Sequence, residues 1–385
     1  MKIALLTMLV SLLTVIGVAF AADKSVPATS PGPPGAAITG IVGASASEQG
    51  VTVVVTTEPA QPGRRKGFWF VKFRQDGTPA GSVLIGEAGV LQLGHKTLSL
   101  AGQFKFGWVE AGKGIMVASA QDEMVRITTL LPDEPNEGSI VDFWIVETGA
   151  QPQLFVHRCR YVDADGKPFA AGAEYDWLYS YALGNRAPSL EGKVCVETAE
   201  TRCSEMECAV SGDNVVIWQT VYESEGSIQV IRCAQWRDKG RLQWKDRYAG
   251  NDWLSLLVDT SCGSVCLTKE WKNPEDASGI LCCVRTDATE PIPVGSYGER
   301  SSGEYVQFLR LASLDLWALT SKQKKHVEIV LLDNDLRPQR TLQVEATGFA
   351  DYVVTTQLDD IYLIFLQHGS LACKKVSVNS TLKEN

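Results

Sequence analysis

Apolar residues in this chain recur at every second position, in short runs broken by glycine, proline and small polar residues. Residues 51–57, 68–73 and 82–85 are rich in β-branched and aromatic side chains, and turn formers bound each run. That alternation puts one set of side chains on each face of a pleated strand. The same pattern returns at 141–147, 154–162, 215–222, 227–236, 253–258 and 280–285, and in seven further runs between 305 and 378. No window carries a convincing amphipathic helix. The best one, 170–183, holds too many glycines and aromatics to favour a helix. The pattern predicts an all-β chain.

Spacing suggests how the strands are grouped. An Asp is followed three residues later by Pro at Asp76/Pro79, Asp165/Pro168 and Asp335/Pro338, and the three Asp lie 89 and 170 residues apart. Those gaps are near two and four units of about 45 residues, the length of a four-stranded propeller blade. At roughly 45–50 residues per blade the span from 38 to 385 holds about seven blades, with six or eight as neighbours. Two β-sandwich domains are the alternative architecture, since they also show a short strand every 8–12 residues or so. The last unit runs out before a fourth strand, and residues 37–42 are the expected closing strand from the other terminus. Residues 176–213 break the period.

On the Asp-Gly-x-Pro turns and the apolar strands around them, the chain resembles secreted bacterial propellers of the loosely repetitive type. That resemblance implies a binding or interaction scaffold. The Gly-His and Trp-Asp signature of one large propeller class does not recur, and paired kelch glycines are missing. A segment running from Trp236 through Asp238 and Gly240 to Trp244 is similar to a sialidase Asp-box, with the second Trp one residue late and the Ser replaced. That similarity implies a glycan-acting hydrolase as the second functional reading.

The N-terminus points to export. Lys2 precedes an apolar run from 3 to 18, and Ala19-Phe20-Ala21 forms a small-x-small cleavage site. Cleavage after Ala21 is expected, giving a secreted or periplasmic protein, with an uncleaved membrane anchor as the alternative. Residues 22–37 are rich in Pro, Ser and Ala and form the expected tether to a domain spanning 38–385. No second run is long and apolar enough to span a bilayer. The formal charge of −9 becomes −10 without Lys2. Such a surface has no electrostatic footprint for nucleic acid.

Candidate chemistry is sparse. The Asp-Gly-x-Pro turn accounts for itself: Gly tolerates positive φ, Pro starts a strand, and Asp caps nearby N–H groups. Asp163 and Asp165 open something like a calcium loop, but Lys167 and a misplaced Gly argue against it. The four histidines form no His-x-His or His-x-x-x-His pair, so no metal site and no cofactor are expected. There is no nucleophile elbow and no phosphate loop. Eight of the ten cysteines fall between 195 and 283. In an exported chain they suggest disulfides. A hairpin about 272–279 would set Cys266 opposite Cys282 or Cys283, and Cys195 is matched with Cys203 or Cys208. Trp177, Tyr179 and Tyr181 alternate on one face of the aperiodic region, so 176–186 is the expected binding insertion, for a protein or carbohydrate. The sum is an exported, monomeric binding propeller with no recoverable catalytic set. A purely structural surface role is a third reading. Asn379 heads a glycosylation triplet, usable only in a eukaryotic host.

Overall fold

A computed structural model of the chain describes residues 19–20 and 36–378, apart from 59–66, 88–92, 101, 122–123, 149–150, 162–174, 185–186, 198–200, 224–227, 238–241, 251–253, 274–277, 298–305 and 324. Seven small antiparallel sheets follow one another along the chain as a seven-blade β-propeller. Blade 1 is built from Ile38–Ser47, Gly50–Thr57, Gly67–Phe73 and Pro79–Glu87, and blade 2 from Leu93–Leu100, Gln103–Glu110, Gly114–Gln121 and Met124–Pro132. Blade 3 contains Ser139–Thr148, Gln151–Arg160, Tyr175–Ala182 and Ser189–Cys195, and blade 4 contains Thr201–Ser211, Asn214–Glu223, Gln229–Gln235 and Lys245–Gly250. Blade 5 runs through Leu254–Val258, Val265–Asn273, Ser278–Arg285 and Ile292–Tyr297, and blade 6 through Val306–Leu311, Leu316–Lys322, His326–Leu332 and Pro338–Glu345. Blade 7 has three described strands, Phe349–Gln357, Asp360–Gln367 and Ser370–Ser377. Ala19–Phe20 lies parallel to residues 342–343 on the outer edge of blade 6. Among the described residues no helix is long and apolar enough to cross a membrane.

The first strand of every blade touches the first strands of both neighbouring blades, which closes the ring around a central axis. Buried apolar residues form seven clusters, one in each seam between adjacent blades. In blade 1, Val53, Val55, Val71 and Phe73 pack toward blade 7, whereas Val54, Phe68 and Phe70 pack toward blade 2. Both faces of each sheet are therefore buried. This explains why strands such as Asp360–Gln367 read as nearly continuous apolar runs rather than as clean alternation.

An innermost strand has a partner on one side only, so its other edge needs acceptors for its N–H groups. Side chains from the preceding blade supply them. Glu205 of blade 4 accepts from the Leu256 N–H at 2.7 Å, Gln307 of blade 6 from Val354 at 2.9 Å, and Asp351 of blade 7 from Ile41 at 3.1 Å. The last bond crosses the seam that joins the two ends of the domain.

That seam corrects one expectation. Residues 38–42 do not complete blade 7; they pair with Gly50–Thr57 inside blade 1. Closure rests on the blade 7/1 apolar cluster and on three hydrogen bonds: the Ile38 N–H donates to the Gly369 carbonyl, the Ile41 N–H to the Asp351 carboxylate and the Ala46 N–H to the Thr355 hydroxyl.

The Asp turns need a second correction. Asp76 and Asp335 do occupy equivalent turns, each joining the third and fourth strands of its blade, with Pro79 and Pro338 opening the fourth. Gly77 and Leu336 both take positive φ, 80° and 63°. Asp76 accepts from the Thr78 N–H at 2.8 Å and from its hydroxyl at 2.6 Å. Gly77 is required twice over, because a Cβ there would stand 2.9 Å from the Cys373 carbonyl of blade 7. Asp165, however, falls between the second and third strands of blade 3, outside the described residues. It is not equivalent to the other two, and most blades are longer than the unit of about 45 residues its spacing suggested: their first strands begin at 38, 93, 139, 201, 254, 306 and 349.

Candidate functional site

The segment 176–186 expected as an insertion, and the aperiodic region 176–213 around it, belong to the regular blades. They hold the last two strands of blade 3 and the first of blade 4. Trp177, Tyr179 and Tyr181 do share a face, and all three rings are buried in the blade 2/3 seam. Their alternation reports core packing. Tyr179 is tied into a polar network as well: its hydroxyl donates to Glu137 at 2.6 Å and accepts from Arg160 Nη1 at 3.0 Å. Lys193 reaches Glu137 at 3.3 Å, and the Arg160 guanidinium lies 5.0 Å from the Trp177 ring centre. The Tyr179 hydroxyl, then Lys193 and Arg160, hold the Glu137 carboxyl below its usual range against a modest burial effect. Burial, reinforced by Glu137, raises the Tyr179 hydroxyl pKa.

This network borders a crevice of about 560 Å³ between blades 2 and 3. Its floor is mostly apolar or glycine, with Val109, Ala111, Gly114 and Ile140, while Glu110, Asp133, Asn136, Arg160 and Tyr161 supply polar atoms. Tyr161 is 61% exposed at the mouth. The volume suits a small molecule or the end of a peptide.

The opposite face of the same strand carries different chemistry. Strand period two sends Leu154, Val156 and Arg158 toward blade 2, and Phe155, His157 and Cys159 toward blade 4. Cys159 pairs in register with Asp176 on the next strand. His157 Nε2 lies 2.7 Å from Asp176 Oδ1, and the Cys159 thiol donates to the same oxygen at 3.2 Å. The nearest nitrogen, sulfur and oxygen of the three side chains all lie within 4.8 Å of one another. Glu197 stands behind them. It accepts from the Asp176 N–H at 3.0 Å and from the Cys203 N–H at 2.8 Å, so one buried carboxylate ties blade 3 to blade 4. Burial alone would raise the Asp176 carboxyl; the bonds from His157 and Cys159 outweigh it and leave the pKa lowered. Cys203 is inert by comparison, its thiol pushed up to about 12 by burial.

Sequence reasoning passed over His157-Arg158-Cys159 because it sought histidine pairs. The usable signal was a His and a Cys two residues apart on a strand, which must share a face. Asp176 could not have been joined to them without the register.

No disulfide joins any of the ten cysteines, all of which lie among the described residues. Cys266 stands opposite Val284, with Cys282 facing Thr268 and Cys283 facing Leu267. The hairpin turns where expected, beyond the Asn273/Ser278 pair, but its register carries Cys266 one residue past Cys283, so neither partner comes opposite. Cys195 packs on the blade 2/3 cluster, whereas Cys203 and Cys208 pack on the blade 3/4 cluster. A sheet separates them. The calcium-loop-like segment at Asp163 and Asp165 lies outside the described residues, as do Asp238 and Gly240 of the Asp-box-like segment.

No family profile and no curated protein matches this sequence. Solved structures match in fold. A puromycin-hydrolyzing peptidase of Mycobacterium tuberculosis superimposes with a TM-score of 0.54 at 9% identity, over 88% of this chain and 52% of that one. A prolyl endopeptidase gives 0.48 at 11% identity, over 90% and 48%. The β-propeller domain of Nup133 from Vanderwaltozyma polyspora gives 0.42 at 9%, over 87% and 93%. The chain spans about half the length of the two peptidases, and at such identity the likeness shows the fold alone.

Proposed function

We propose that this chain is an exported binding propeller that takes a small polar ligand or a peptide end in the crevice between blades 2 and 3. One observation carries the reading. Arg160 and the exposed Tyr161 stand together at the mouth of a cavity of about 560 Å³, against an apolar floor. Arginine and tyrosine over an apolar floor are the side chains that dominate binding energy at recognition surfaces. The network through Tyr179, Glu137 and Lys193 holds Arg160 in place, which lowers the entropic cost of using it. Export is supported by the apolar N-terminal run and its Ala-Phe-Ala site. Cleavage after Ala21 would remove Ala19–Phe20 and leave four strands in blade 6.

Thermal-shift screening of the mature chain against glycan and peptide libraries tests this reading. A hit should lose about tenfold in affinity or more in Tyr161→Ala and in Arg160→Ala, with the melting temperature of unliganded Tyr161→Ala nearly unchanged. Turnover of a glycoside or peptide that a single Asp133 or Glu110 substitution abolishes would replace this reading with the hydrolase one. N-terminal sequencing of exported protein checks the cleavage site.

A further inference from the structure

We infer that His157, Cys159 and Asp176 form a binding site for a divalent transition-metal ion of the zinc class, on the face of blade 3 that meets blade 4. This inference does not depend on ligand binding in the crevice: the His157 and Asp176 donors lie outside its lining, and Cys159 alone of the three borders it. Three observations carry it.

The first is the donor set. One imidazole nitrogen, one thiol sulfur and one carboxylate oxygen lie within 4.8 Å of one another. Zinc and its neighbours accept this combination, with bonds of about 2.0–2.3 Å, and a three-residue set leaves one position open for water or ligand. Tetrahedral donors around such an ion stand about 3.5 Å apart. His157 and Cys159 already sit 2.7 Å and 3.2 Å from the same Asp176 oxygen. Small rotations of the side chains would admit the ion.

The second is rigidity. All three donors sit on paired strands, with Cys159 and Asp176 in direct register. Glu197 accepts from the Asp176 backbone and fixes the strand that carries the carboxylate. Metal sites depend on such support around their ligands.

The third is the hydrogen-bond order. In a nucleophilic Cys-His-Asp set the imidazole lies between thiol and carboxylate, so that it can take the thiol proton. Here the thiol donates to Asp176, and the carboxylate lies between the other two groups. That arrangement favours convergence on a cation over thiol activation. The His157 and Asp176 side chains remain 12% and 15% exposed, which leaves a path of entry. Binding would convert the Cys159 thiol to a thiolate and release its proton to solvent, so affinity should rise with pH.

The test uses the full chain, stripped with chelator, kept reduced and titrated with Co²⁺ and then Zn²⁺. Folded protein should bind a single equivalent of Co²⁺, with a thiolate-to-cobalt charge-transfer band that Zn²⁺ displaces. Cys159→Ser should abolish the band, and His157→Ala and Asp176→Asn should each weaken binding about tenfold or more. Cys262→Ser, in blade 5, should leave the band intact. Alkylation of unmutated protein gives a second readout: Zn²⁺ should slow modification of Cys159 at least tenfold without slowing that of Cys262. A band that survives Cys159→Ser, no saturable binding to folded protein, or equal alkylation with and without Zn²⁺ would overturn the site. None of these results bears on ligand binding at Tyr161.

Discussion

The two faces of blade 3 are built from alternate residues of the same strands, yet they solve different problems. Toward blade 2 the sheet presents Tyr175, Trp177, Tyr179 and Tyr181, and the polar network is confined to one end. Toward blade 4 it presents Trp144, Val146, Phe155 and Leu178, which give way to His157, Cys159 and Asp176, with Glu197 behind them. On the first face, charge is paired near solvent: Glu137 with Lys193 and Arg160. On the second, acids are buried and satisfied mainly by backbone N–H and ring donors. Glu197 takes two backbone N–H groups, and Glu207 of blade 4 accepts from the Trp144 indole at 2.8 Å. One face therefore stabilises with area and keeps its polar groups reachable. The other uses buried polar groups to fix how two blades meet.

Substitutions can separate these roles. The largest loss should follow Phe143→Ala, which empties a fully buried position on the blade 2 face; a cost of about 3–5 kcal/mol is expected in denaturant unfolding. Glu197→Ala should cost roughly 2–4 kcal/mol, because two buried N–H groups lose their acceptor. Glu197→Gln, which keeps an acceptor, should recover much of that loss. If Glu197→Ala proves neutral, buried acids do not hold blades 3 and 4 together. Tyr179→Phe removes only a hydroxyl and should cost about 1–2 kcal/mol, with a larger effect on ligand binding than on stability if Arg160 is positioned through it.

The pH dependence is the smallest effect and the sharpest contrast, since Glu137 and Glu207 should respond with opposite sign. Glu137 is held below its ordinary value of 4.5, so the folded state binds its proton less tightly than the unfolded chain. Its stabilisation is present above pH 4.5 and is lost as pH falls through the lowered value. Burial raises Glu207 above 4.5, so the folded state holds that proton more tightly. Its contribution is greatest below pH 4.5 and is lost as pH rises through the raised value. Glu137→Gln should flatten the acid side of the stability curve, and Glu207→Gln the limb above 4.5. The same slope change from both variants would contradict the comparison. A thiol count on denatured protein without reductant should return ten, since no disulfide joins the described cysteines.

Much of the fold was legible in the chain. Short β-branched runs, absent helices and a unit near 45 residues were enough for an all-β propeller of about seven blades. Two of the three Asp turns were equivalent, and the bonds from Asp76 to Thr78 show that they need no ligand. The site was hardly legible. Trp177, Tyr179 and Tyr181 drew notice because aromatic alternation is visible in one strand, but a pattern that fits a binding platform fits a buried seam equally well. Arg160 and Tyr161 had no local mark at all. Their crevice is made by loops of blade 2 that lie 20 to 50 residues earlier in the chain.

Periodicity of two and the spacing of turn residues determined the strands and their grouping, because each depends on neighbours within a few positions. Tertiary structure alone decided three further matters: that 38–47 belongs to blade 1, that Cys266 meets Val284, and that Cys159 meets Asp176. The physical reason is register. A shift of one residue in strand pairing exchanges every partner and every face, and the local pattern of a strand buried on both sides, apolar throughout, holds too little information to set it.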